Sequence, residues 1–137
     1  MHTIAKRVPG RDVSEMVRVL TVDDQPVFLE AARALVGMTP GFEMVGESAD
    51  GEAAVELARE AHPDMVIIDQ RMRGIDGIET ARRMSALDPT AVILLVSSAD
   101  VQPLAAEAEA SGVAAVLRKH WLTPRLLRGL WLAHRPC

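Results

Sequence analysis

Hydrophobic residues in this chain cluster into short runs, and each run stops at a polar side chain. Val17-Arg18-Val19-Leu20-Thr21-Val22 stops at Asp23-Asp24, Met65-Val66-Ile67-Ile68 at Asp69, Ala91-Val92-Ile93-Leu94-Leu95-Val96 at Ser97, and Val116-Leu117-Arg118 at Lys119. The runs at 17–22, 65–68 and 91–96 are nearly continuous in apolar residues, as in strands buried on both faces. Glu43-Met44-Val45-Gly46-Glu47 is mixed and suits an edge strand. Between these runs the apolar spacing changes to that of helices. Five such alternations predict an α/β fold, a doubly wound parallel sheet with helices on both faces.

The helix ends are marked by their own chemistry. Pro26 suits a first helical turn with Phe28, Ala32 and Leu35 on one face. Asp50 caps a helix carrying Ala54, Leu57, Ala58 and Ala61, which His62-Pro63 ends. Asp76 and Glu79 form a capping box for a helix that stops at Asp88-Pro89. Asp100 caps a fourth helix that Gly112 ends. Thr123-Pro124 starts the last, with Leu127, Leu130 and Trp131 facing inward. Residues 1–16, with Pro9-Gly10 and scattered charges, lack periodicity and read as a flexible N-terminal arm before a domain over 17–135.

Composition narrows the function. With 49% hydrophobic and only 3% aromatic residues, the core must be aliphatic. A formal charge of −4 and no basic block disfavour direct nucleic-acid binding by this chain. Cys137 is the sole cysteine, which excludes an internal disulfide and fits a reducing cytoplasm. The amino terminus has no long apolar segment that would act as a signal peptide, and no run is long enough to span a membrane.

The polar residues that end the strands then become chemistry. Ligands of open α/β sheets bind beyond the carboxyl ends of the strands. Neighbouring strands lie about 5 Å apart, so Asp23, Asp24 and Asp69 fall into one pocket if their strands are adjacent. Such carboxylates repel unless a cation sits among them, and Mg²⁺ suits an oxygen-only donor set that leaves room for phosphate oxygens. Ser97 adds a hydroxyl donor and Lys119 a compact positive charge. A carboxylate can itself be the nucleophile, and Asp69, alone at its strand end before a loop holding Gly74 and Gly77, is the expected acceptor of a phosphoryl group.

These motifs resemble the receiver domain of bacterial two-component response regulators. The resemblance rests on Asp23-Asp24, on Asp69-Gln70-Arg71-Met72-Arg73-Gly74-Ile75-Asp76-Gly77, on Ser97 after the fourth strand and on Lys119 after the fifth. It implies a flavodoxin-like, three-layer fold with five parallel strands in order 2-1-3-4-5 and five helices. It also implies phosphorylation of Asp69 by a sensor histidine kinase. Mg²⁺ (or Mn²⁺) would be held by Asp24, Asp69 and the main-chain carbonyl of Arg71, with Asp23 acting through water. Ser97 and Lys119 would contact phosphoryl oxygens, while Arg71 and Ala99 occupy positions that tune phosphorylation lifetime. The kinase would dock at Pro26, Val27 and Leu29. The loop pattern looks most like receivers of the NarL/LuxR type, which precede a helix-turn-helix domain. Members also form homodimers, through the fourth helix, fifth strand and fifth helix or through the first and fifth helices, and both faces stay open here.

Three positions depart from the pattern. The aromatic switch position on the fifth strand is Val116, so a signal must travel through the loops and fourth helix. His120 replaces the proline after the lysine; a cis bond there would cost about 2.5–4 kcal/mol, so a trans Lys119–His120 bond is expected. Arg73 replaces another proline, and either loosens the loop after Asp69 or brings a positive charge to the pocket.

Other readings compete. A phosphatase of the haloacid-dehalogenase type needs a second Asp two residues past the nucleophile, where this chain has Arg71. Dinucleotide binding lacks its glycine fingerprint after the first strand. A receiver-shaped interaction module that ignores phosphorylation stays open. Taken singly, Asp23-Asp24 could be a helix cap, Ser97 turn chemistry and Lys119 a solvated lysine; only the set gives them a common purpose. The expected protein is a signalling switch with self-phosphorylation chemistry rather than a metabolic enzyme.

Overall fold

The computed structural model describes residues 15–137. The expected arm lies outside the described residues except for Glu15 and Met16. The elements alternate from the start: β1 (Val17–Val22), α1 (Pro26–Gly37), β2 (Phe42–Ser48), α2 (Gly51–Ala61), β3 (Met65–Asp69), α3 (Gly77–Leu87), β4 (Val92–Ser97), α4 (Ala105–Ala110), β5 (Ala115–Arg118) and α5 (Pro124–His134). All four strand pairings are parallel, and the sheet order is β2-β1-β3-β4-β5. This is the expected doubly wound fold with β2 at one edge.

Alternation along the strands builds two cores. Leu20, Val22, Val66, Ile68, Ile93 and Leu95 face α2, α3 and α4, meeting Ala54, Ile78, Ala81, Met84 and Ala108. Val19, Met65, Ile67, Leu94, Val96 and Leu117 face α1 and α5, meeting Leu35, Val36 and Leu127. Every residue of β3 and β4 is buried, which explains their unbroken apolar sequence. The chain does this with aliphatic side chains alone, apart from Phe42 and the half-buried Phe28 and Trp131.

Three caps form as their residues dictate. Asp50 accepts from the Ala53 amide at 2.8 Å, Asp76 from Glu79 at 2.9 Å and Thr123 from Leu126 at 3.1 Å. Two expectations need correction. The capping box of α3 is half made, because the Glu79 carboxylate turns to Arg82 and Arg83 instead of returning to Asp76. Asp100 does not cap the fourth helix. Its carboxylate accepts from the Gln102 amide in a local turn, and a 3₁₀ turn over Gln102–Leu104 precedes the short α4.

The α2 C-terminus is held from across the fold. His62 adopts the left-handed conformation (φ 49°) and Arg18 donates to the carbonyls of Ala61 and His62. No cis peptide bond occurs among the described residues, so Lys119–His120 is trans as expected. None of the described helices is long and apolar enough to cross a membrane.

Candidate functional site

β1 and β3 are neighbours, with Val22 opposite Ile68, so the next residues, Asp23 and Asp69, leave the sheet side by side. Asp23 is fully buried, Asp69 is 4% exposed, and Asp24 is half-buried. One carboxylate oxygen from each lies within 4.8 Å of the others. The expected convergence of three acids is thus met.

Lys119 reaches the cup from the far side. It follows β5, and its Nζ stands 2.6 Å from Asp23 Oδ2 and 3.3 Å from Asp69 Oδ1. The same ammonium lies 3.2 Å from Gln25 Oε1 and 4.5 Å from the centroid of the Phe28 ring. One lysine therefore bridges two of three carboxylates. Burial, then the charge of Asp23, push the Asp69 carboxyl up to about 6, and Lys119 only partly offsets them. Negative charge at Asp69 is held against its surroundings, and a further cation would relieve it.

Asp24 has a different partner. Its Oδ2 accepts from the Arg73 amide at 3.3 Å and lies 3.9 Å from Arg73 Nε, whose side chain is otherwise in solvent. Of the two outcomes open for Arg73, the positive charge beside the pocket is the one found. Gly74, at φ +82°, supplies the turn after it. Gly77 lies against the strand end: a Cβ there would sit 2.5 Å from the Asp69 carbonyl oxygen.

Ser97 ends β4 and is buried; its Oγ accepts from the Ala99 amide at 3.0 Å, which leaves the hydroxyl hydrogen available. Asp69 pairs with Val96 in the sheet, so Ser97 is one step beyond Asp69 on the adjacent strand. Arg71 is exposed on the loop after Asp69. Pro26 and Val27 are exposed on the first turn of α1 and Leu29 is half-buried. Val116 is not at the cup: it pairs with Leu95 and packs against the α2–α4 core.

Sequence reasoning missed three residues. Gln70 ties the loop shut: its Oε1 accepts from the Ile78 amide at 3.0 Å and its Nε2 donates to Asp76 at 3.2 Å. Its position, directly after Asp69 and six before the capping Asp76, was the available signal. Gln25 contacts Lys119, and Arg118 reaches the Ser98 carbonyl at 3.5 Å.

Residues 19–130 match the model of the response regulator receiver domain. A probable transcriptional regulatory protein NarL of Mycobacterium tuberculosis is 34% identical over 105 residues, 77% of this chain and 49% of that protein. A protein-glutamate methylesterase/protein-glutamine glutaminase of Anaeromyxobacter dehalogenans is 38% identical over 82 residues, 60% of this chain and 24% of that protein. The solved signal receiver domain of the putative response regulator NarL from Mycobacterium tuberculosis superposes with a TM-score of 0.78 at 32% identity, covering 87% of this chain and 95% of that one. The chain spans half or less of the length of these curated relatives.

Proposed function

The chain belongs to the response regulator receiver domain family, and from that premise we propose that it is a phosphoryl-accepting switch with Asp69 as the acceptor. The observation that supports this most directly is the convergence of Asp23, Asp24 and Asp69 within 4.8 Å, with the Lys119 ammonium bridging two of them.

The donor set fits a hard divalent cation: carboxylate oxygens only, one of them held against its tendency to protonate. Asp24, Asp69 and the Arg71 carbonyl would hold Mg²⁺, with Asp23 engaged through water. When bound, the cation supplies positive charge for the phosphoryl oxygens.

The chain's own residues do the rest. An Asp69 carboxylate oxygen attacks phosphorus, the bond to the donor's histidine nitrogen breaks, and that nitrogen leaves with the electron pair. Lys119, already 3.3 Å from Asp69, transfers its contact to a phosphoryl oxygen. The Ser97 hydroxyl donates its free hydrogen to another, and its shift towards that oxygen loosens the turn in which it accepts from Ala99. Loosening that turn changes the β4–α4 loop, which carries the signal in place of an aromatic switch because Val116 has no ring to move.

A sensor histidine kinase is the proposed donor, docking on Pro26, Val27 and Leu29 beside the cup. The proposed outcome is regulation of a partner or output domain. The test is to incubate the protein with Mg²⁺ and acetyl phosphate and to weigh it. A phosphoryl mass gain that Asp69→Asn abolishes supports the switch. No gain with any donor would overturn it and favour a phosphorylation-independent interaction module.

A further inference from the structure

Helix α1 starts without a side-chain cap. Its N-cap residue is Gln25, extended at φ −101° and ψ 112°, and its amide group makes no bond to the helix. N-cap positions favour Ser, Thr, Asp and Asn, whose short side chains reach back to the free amides. Three other helices of this chain use Asp50, Asp76 and Thr123 in that way. Gln25 instead sends its Oε1 to Lys119 Nζ at 3.2 Å, across 94 positions of sequence.

The main chain holds Gln25 on both sides. Its amide donates to Asp23 Oδ1 at 2.8 Å, and its carbonyl accepts from Phe28 and Leu29 at 3.1 and 3.2 Å. The side chain thus springs from a fixed point. One turn further on, the Phe28 ring lies 4.5 Å from the same ammonium. An ammonium has three donors. Here they meet Asp23, Asp69 and Gln25, with an aromatic face as a fourth neighbour.

We infer that Gln25 is a positioning residue for Lys119, holding the ammonium over Asp69 so that it can pass from the carboxylate to an arriving phosphoryl group. The inference rests on the phosphoryl-accepting reading of the cup. A neutral acceptor suits the task. It keeps its hold when the Asp69 contact is given up, and it adds no negative charge to a site that already has three carboxylates. The position has given up a helix cap for this, which is why the two roles can be separated.

Gln25→Asn provides the better cap but is too short to reach Lys119, whereas Gln25→Glu keeps the reach. In the Asn variant the melting midpoint should equal or exceed that of the wild type. Its phosphorylation by acetyl phosphate at saturating Mg²⁺ should nonetheless slow by roughly fivefold, as expected for loss of an ordinary, solvent-exposed hydrogen bond. A second readout needs no phosphoryl transfer. In metal-free protein, Lys119 of the Asn variant should react about threefold faster with an amine-acylating reagent, for the same lost bond. The chain's other lysine, Lys6, is the internal reference. Gln25→Glu, which keeps the reach and adds a negative charge beside the ammonium, should bring labelling back to the wild-type level or below it.

An Asn variant that is phosphorylated at the wild-type rate, or slowed only in step with a lowered midpoint, overturns the inference, as does unchanged Lys119 labelling. These results leave the switch reading standing. A wild-type protein that takes up no phosphoryl group overturns both.

Discussion

Asp69 is a carboxyl placed where its charge is disfavoured. Its folded value of about 6 lies above the ordinary 3.8, so between these two pH values the folded state keeps a proton that the unfolded chain releases. The stability that this proton contributes is complete below the unfolded value and is lost as pH rises through about 6. At pH 7 the metal-free protein should carry a cost of about 3 kcal/mol at this one residue. Asp69→Asn removes it. The variant should therefore melt higher than the wild type at pH 7, by about 1–2 kcal/mol once its weaker contact with Lys119 is allowed for, and the gap should close towards pH 4. Thermal melts of both proteins across that range test this, because the other acids titrate in both; a gap constant with pH would refute it. Asp23, Asp24, Asp69, Ser97 and Lys119 were legible in the sequence because each ends an apolar run, and a strand end fixes where a side chain emerges. Gln25 and Gln70 were not. A glutamine's reach depends on the neighbouring backbone, which no periodicity reports.

Elements succeed or fail here at their ends. The runs behind β1, β3 and β4 were plain because a strand buried on both faces tolerates little else. The short α4 was misjudged because Asp100 and Pro103 can serve a local turn as well as a helix start, and only Ala108 of α4 is buried to favour one over the other. Gly77 shows how tightly the β3–α3 join is built. A Cβ there would stand 2.5 Å from the Asp69 carbonyl oxygen, 2.7 Å from Leu95 Cδ1 and 2.8 Å from Gln70 Cα. Two of these are backbone-bound atoms with little room to yield. Helix propensity favours alanine over glycine by about 1 kcal/mol, yet overpacking costs about 1–3 kcal/mol and here also displaces Asp69, the proposed acceptor. Gly77→Ala should lower the urea midpoint and slow phosphoryl uptake. Gly129→Ala on α5, where a Cβ meets nothing within 4 Å, should raise the unfolding free energy by about 0.5–1 kcal/mol and the urea midpoint with it. A destabilised Gly129 variant, or a tolerated Gly77 variant, would contradict this account.

For the molecule as a whole, the strand order that makes the fold also makes the cup. Folding brings residues 23, 24, 69 and 119 together from three strands, so the domain pays for like-charge proximity each time it folds. Lys119 answers two of the three carboxylates, and the Arg73 guanidinium, 3.9 Å from Asp24 and largely in solvent, answers the third only weakly. A cation that binds only the folded cup should therefore stabilise the entire domain, by about 2.7 kcal/mol at a hundredfold excess over its Kd. In a chain of this size that is a rise in melting midpoint of about 10 °C. Asp24→Asn should abolish most of the Mg²⁺-dependent rise while leaving the metal-free midpoint equal or higher, since one repelling charge is gone and an oxygen remains for the Arg73 amide. Melts with MgCl₂ and with NaCl at equal ionic strength separate binding from screening. Simple salt acts over a Debye length of about 10 Å at 0.1 M and weakens surface charge pairs everywhere, whereas ligation acts only where three oxygens lie within 4.8 Å of one another. A rise that NaCl reproduces, or one that survives in the Asn variant, would mean that the acids respond to screening alone and hold no ion. A rise specific to Mg²⁺ and dependent on Asp24 would tie the stability of all five strands to the site that three of them create.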